Sequence, residues 1–209
     1  AMTLRPEPEV GAADWFVDAG EPWEILATQG PPGFAAYATV RFDGEDADPY
    51  RPDDEVMAIV VGLAAAHTTT PEDLCFGIWD GWGDLHDGGR LFLAARAGWL
   101  NRLLIQPTPP RIPAAFDESV MNGPRVELEA SSYLLFRGPA SEVGRWPTEP
   151  VEFDVPRDLP PASITWPADR AWFIASDVDP AWLCVGGSTE LVAAVLADPR
   201  LDAEPATYG

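Results

Sequence analysis

The chain has 209 residues carrying 34 acidic and 13 basic side chains, a net charge of −21, and every base is an arginine. The absence of lysine excludes Schiff-base chemistry and a phosphate-holding P-loop. Two histidines (His67, His86) and two cysteines (Cys75, Cys184) are too few or too far apart for a three-histidine zinc site, an H-E-x-x-H helix or a four-cysteine zinc ribbon, and no cofactor motif is present.

Hydrophobic residues make up 46% of the chain, nine of them tryptophan, which is ample for a folded core despite the charge. The 23 prolines and 18 glycines favour short elements joined by ordered turns. Acids exceed bases throughout: 13 against 3 over residues 1–60, 7 against 4 over 61–120, and 14 against 6 over 121–209. With no basic stripe, the summed field repels phosphate and disfavours nucleic acid. A basic protein partner, a cation, or charge that serves solubility alone remain open. No apolar run reaches the ~18 residues of a membrane span, and the acidic first twenty residues do not look like a secretion signal, so a cytoplasmic protein without a membrane partner is expected.

In chain order, residues 1–10 read as a flexible tail, with Ala1 ahead of Met2 as a cloning remnant, and residues 11–209 as a single α+β domain. Phe34, Ala36, Ala38, Val40 and Phe42 alternate with their neighbours as a half-buried strand does. After an acidic loop, Asp43 to Pro52, Asp53 caps a helix running to Ala66, with Val56, Ile59, Val60 and Leu63 on its apolar face. Leu74 to Trp79 reads as a central strand ended by Asp80-Gly81. Residues 91–105 are ambiguous, because Gly98 interrupts a helical pattern. Strands are expected around Val126 and Leu128, from Tyr133 to Arg137, around Val151, Phe153 and Val155, from Ala171 to Ala175, and from Trp182 to Val185. Ser188 caps a final helix bearing Leu191, Val192, Val195 and Leu196, ended by Asp198-Pro199. The sum is a mainly antiparallel sheet of about five to seven strands packed by two or more helices. Each cysteine lies in an apolar strand-like run, where a buried free thiol is expected.

The densest chemistry is Trp79-Asp80-Gly81-Trp82-Gly83-Asp84, followed by His86 and Asp87. Glycines around Trp82 allow a tight turn with an indole platform beside carboxylates, suited to a sugar, a cation or a partner's arginine. A strand-end turn with Trp as core filler accounts for the same letters. The second cluster is Trp166-Pro167-Ala168-Asp169-Arg170-Ala171-Trp172, which pairs an Asp–Arg couple with two indoles, or else forms a turn into a strand. Asp177-Val178-Asp179 places two carboxylates on one side of an extended segment. Gly81-x-Gly83 departs from a dinucleotide fingerprint at His86, and residues 43–48 lack the calcium-loop pattern, so neither a cofactor nor a metal is expected.

Cys75 to Gly83, Tyr133-Leu134-Leu135-Phe136-Arg137-Gly138-Pro139, Trp166 to Trp172 and Val185-Gly186-Gly187-Ser188 together resemble a family of uncharacterised actinobacterial proteins, over roughly residues 60–200. The resemblance implies no activity or catalytic residue. Gly77 stands where a bulkier strand residue is expected. In its Trp, Gly and acidic turns the chain is also similar to acidic immunity and cell-wall-regulator-type domains.

These readings lead to a non-enzymatic binding protein, immunity- or adaptor-like, that engages a basic protein through Trp79, Asp80, Trp82, His86, Asp87, Asp169, Arg170 and Trp172 gathered on one open surface. The alternative is a hydrolase, with a glycan as one substrate class, using Trp platforms and two carboxylates drawn from Asp80, Asp87, Asp169, Asp177 and Asp179.

Overall fold

A computed structural model describes residues 3–42, 53–86, 113–148, 159–177 and 181–209. Its centre is one antiparallel sheet of nine strands: β1 (Arg5–Pro6), β2 (Ala36–Arg41), β3 (Leu74–Trp79), β4 (Val126–Glu127), β5 (Ser132–Gly138), β6 (Ile164–Pro167), β7 (Phe173–Ala175), β8 (Trp182–Gly187) and β9 (Asp202–Ala206). The order is β1-β5-β3-β6-β7-β8-β2-β9, and β4 pairs with the other end of β5 beside β1. The described helices are α1 (Asp14–Val17), α2 (Trp23–Gln29), α3 (Asp54–Ala64), α4 (Glu118–Met121) and α5 (Thr189–Ala197).

The α+β class and the antiparallel pairing agree with the sequence, but nine strands exceed the expected five to seven. The additions are β1, only two residues long; β6, inside a proline-rich stretch; and β9, which carries Pro205 on the sheet edge, where a missing N–H is tolerated. The strand expected around Val151 lies outside the described residues, as do 91–105 and the acidic loop 43–52. Residues 3–10, expected to be a tail, are tied to the sheet. Leu4 is 3% exposed, β1 pairs with Arg137 and Phe136, and the Glu7 amide donates to the Leu135 carbonyl.

Both faces of the sheet are covered, which explains why β3, β7 and β8 read as unbroken apolar runs rather than alternating ones. On one face Leu74, Phe76, Ile78, Leu134, Phe136, Ile174 and Val185 meet α3 and α5. Asp53 caps α3 by accepting from the amides of Glu55 and Val56, and Ser188 caps α5 by accepting from Leu191. The fully buried stripe of α3 is Met57, Val60, Val61 and Ala64, rotated from the expected Val56, Ile59, Val60 and Leu63. Residues 56–66 carry no charge, so the pattern alone does not fix which side turns inward.

The opposite face is an aromatic layer. Phe16 of α1, Trp166 of β6 and Phe173 of β7 are at most 1% exposed, with Trp166 stacked on Phe173 at 5.7 Å between centroids. α1 and α2 cover them, and Trp15 meets Phe173 edge-on at 5.9 Å. Cys75 and Cys184 are free and buried. β6 and β7 separate their strands, roughly 14 Å at the usual inter-strand spacing, too far for a disulfide.

Candidate functional site

β3 delivers the Trp79–His86 turn to one end of the sheet. Trp79 is half-buried against the aromatic layer, Trp82 is half-buried against the α3 face, and the two rings meet edge-on at 5.7 Å. The Asp80 carboxylate accepts from Arg125 Nε at 3.0 Å. Arg125 also donates to the carbonyls of Val120, Met121 and Gly123, so its guanidinium closes the C-terminal end of α4. His86 is exposed, with Nε2 2.7 Å from the Asp80 carbonyl and 3.4 Å from its Oδ1. Asp80 is therefore a brace joining the β3 turn to α4. Two buried atoms of this turn, Asp80 Oδ1 and Trp82 Nε1, have no hydrogen-bond partner among the described residues, the 3.4 Å approach of His86 to Oδ1 being an ionic contact only. Asp87 lies outside the described residues.

The second cluster is the β6–β7 hairpin turn. Asp169 accepts from Thr68 Oγ1, from the amide and Oγ1 of Thr69, each at 2.7 Å, and from the Ala171 amide. Desolvation pushes this carboxyl upward, but the bonds from Thr68, Thr69 and Ala171 outweigh it and bring it down to about 2. Arg170 is exposed, holds a left-handed φ of 58°, and places its guanidinium 5.3 Å from the centre of the Trp15 ring. Trp172 is 0% exposed and Trp166 1%, on opposite faces of the sheet. Neither is a surface platform, because each fills the core beside a strand.

The two clusters do not share a surface. Register pairs Leu74 with Pro167, so the hairpin turn sits where β3 begins and Trp79 where it ends, roughly 17 Å of strand apart. That separation exceeds the spacing of about 5–10 Å used by paired glycosidase carboxylates, so Asp80 and Asp169 do not form such a pair. Asp179 is outside the described residues.

Sequence reasoning missed two features. Arg137, within Tyr133–Pro139, binds Asp73 through Nε and Nη2 and lies 3.5 Å from Glu7, tying β1, β5 and the start of β3 together. This network pulls Asp73 below the usual carboxylate range and raises Arg137. The second is the α1–α2 layer, which carries half-buried Trp15 and Trp23. The sequence signals only its charge, six acids and no base from Pro6 to Val40, and not its helices.

A cleft of about 340 Å³ opens beside the N-terminus of α3, between Asp54, Arg145, Trp146 and Leu159, and the chain joining Thr148 to Leu159 lies outside the described residues. Among the described residues no group of three His, Cys, Asp or Glu side chains is placed to hold a metal ion, and no helix is long and apolar enough to cross a membrane. No protein-family model, curated protein or solved structure matches the chain.

Proposed function

We propose that the protein is a non-enzymatic binding protein, immunity- or adaptor-like, whose partner is a basic protein. The observation that carries this reading is the fate of the arginines. The described residues hold 24 acids and 7 arginines. Arg41, Arg125, Arg137, Arg145 and Arg200 are each held by a carboxylate of the chain itself, and Arg170 lies on an indole. Six of the seven described arginines are thus engaged within the chain, while Glu9, Asp14, Asp18, Glu24, Glu72, Glu118, Glu190 and Asp202 stand exposed. Such a surface attracts a cationic partner at long range. Asp80 and Asp169, offered by the sequence for acid–base work, are occupied as structural acceptors. Two buried free thiols suit a reducing compartment and support a cytoplasmic location.

The test is calorimetric titration with octa-arginine and octa-glutamate peptides, beside turnover assays on chromogenic glycosides. Binding of the cationic peptide alone, weakening with salt and without turnover, is expected. Glycoside hydrolysis would replace this reading with the hydrolase one.

A further inference from the structure

Resting on that binding reading, we infer that the outward side of the α1–α2 layer is the docking surface, and that it takes an arginine-bearing segment of the partner with a guanidinium seated on an indole. Three observations converge there. Trp15 and Trp23 reach the surface half-buried, together with Val17 and Ala19, so this helix face keeps apolar area that the core does not consume. Glu9, Asp14, Asp18 and Glu24 are exposed around it, and the segment from Pro6 to Val40 supplies no cation of its own. Among the described residues, a cation from a distant hairpin, Arg170, settles over the face of Trp15.

The chain therefore displays the recognition chemistry internally. A guanidinium is planar and weakly hydrated, so it stacks on an indole with less desolvation cost than an ammonium, and flanking carboxylates accept its N–H groups. Arg170 is a resident occupant, and a partner's arginine takes Trp15 by displacing it or uses the indole of Trp23. The surface discriminates arginine from lysine, which charge alone does not do.

The experiment titrates octa-arginine and octa-lysine peptides into the full chain and into two variants with the same change in net charge. One is Glu9→Gln/Asp14→Asn/Asp18→Asn/Glu24→Gln; the other is Glu72→Gln/Glu118→Gln/Glu190→Gln/Asp202→Asn. The first variant is expected to lose octa-arginine affinity by ~10-fold, and the second by no more than ~3-fold. Octa-lysine is expected to bind the parent chain ~3-fold more weakly than octa-arginine. Arg170→Ala is expected to tighten octa-arginine binding by ~3-fold, while Arg145→Ala, an exposed arginine elsewhere, shifts it less. Equal losses in the two charge variants, or equal effects of the two arginine substitutions, would overturn the assignment of this face while leaving a basic partner standing. Failure of both peptides to bind the parent chain would overturn the basic-partner reading as well. The two carboxylate variants neutralise exposed groups only, Arg170→Ala and Arg145→Ala also remove the contacts with Trp15 and Glu142, and urea unfolding checks that each variant keeps the parent's stability.

Discussion

The Trp79 indole lies across the backbone of Gly81, and a methyl group at position 81 would fall inside the ring. The W-D-G spacing is thereby explained as packing. The strand ends, the chain folds back, and the ring covers the glycine that lets it do so. Gly81→Ala is expected to push the indole off its seat, costing about 1–3 kcal/mol as small-to-large changes in tight packing do. Urea denaturation followed by tryptophan fluorescence measures this. An unchanged midpoint would show that Trp79 is free to move and available as a platform.

Gly77 is the strand position where a bulkier residue was expected, and its neighbour explains the difference. Ile164 of β6 fills the space, its Cγ1 at 2.5 Å from where a Cβ would stand. Gly77→Ala alone is expected to destabilise, and Ile164→Ala alone to leave a cavity costing about 2–5 kcal/mol. The double variant is expected to be more stable than the sum of the two losses by about 1 kcal/mol or more, since the new methyl then occupies vacated volume. Strict additivity in a double-mutant cycle would refute the contact.

The elements legible in the sequence are those whose ends carry chemistry. Asp53 and Ser188 announce α3 and α5 because a side-chain oxygen must satisfy a free amide there, and the structure uses both in that way. β3 and β5 were readable from apolar runs stopped by Asp80-Gly81 and Gly138-Pro139. α1 and α2 were not, because four and seven residues are too few to show a helical period. With that layer hidden, the second covered face of the sheet was hidden too, and Trp166 looked like a surface ring rather than the floor of an aromatic core. The candidate site suffered from the same cause. Trp, Asp and Gly concentrate at 79–83 and 166–172 because tight turns at strand ends need turn formers and core fillers. Only the register of β3 against β6 reveals that the two turns point away from each other.

Asp169 makes stability depend on pH in a defined window. Its carboxyl falls from an ordinary 3.8 to about 2 in the folded chain, so the folded state binds the proton less readily than the unfolded one. The stabilisation is full above about pH 4 and is lost as pH falls toward 2. The group is exposed and its charge well screened, so the magnitude rests on its hydrogen bonds to Thr68, Thr69 and Ala171. Asp169→Asn is expected to cost about 1–3 kcal/mol near neutrality. The gap between variant and parent should close on acidification. A gap that stays constant from pH 6 to pH 2 would show that the carboxylate is not the acceptor that holds the 68–70 loop.

The cysteines test the arrangement of the sheet itself. Burial pushes both thiols up to about 12, which leaves almost no thiolate at pH 8. Each side chain is at most 1% exposed, Cys75 between β5 and β6 and Cys184 between β7 and β2. A thiol-specific chromogenic disulfide should therefore find no reactive group in the native protein at pH 8. It should find two as soon as guanidinium unfolds the chain, without any reductant. Full release without reductant requires that Cys75 and Cys184 never paired, as the intervening strands β6 and β7 demand. Loss of both signals in guanidinium would mean a disulfide and would break the strand order β3-β6-β7-β8, whereas rapid native labelling would mean that the sheet opens around one of the two positions.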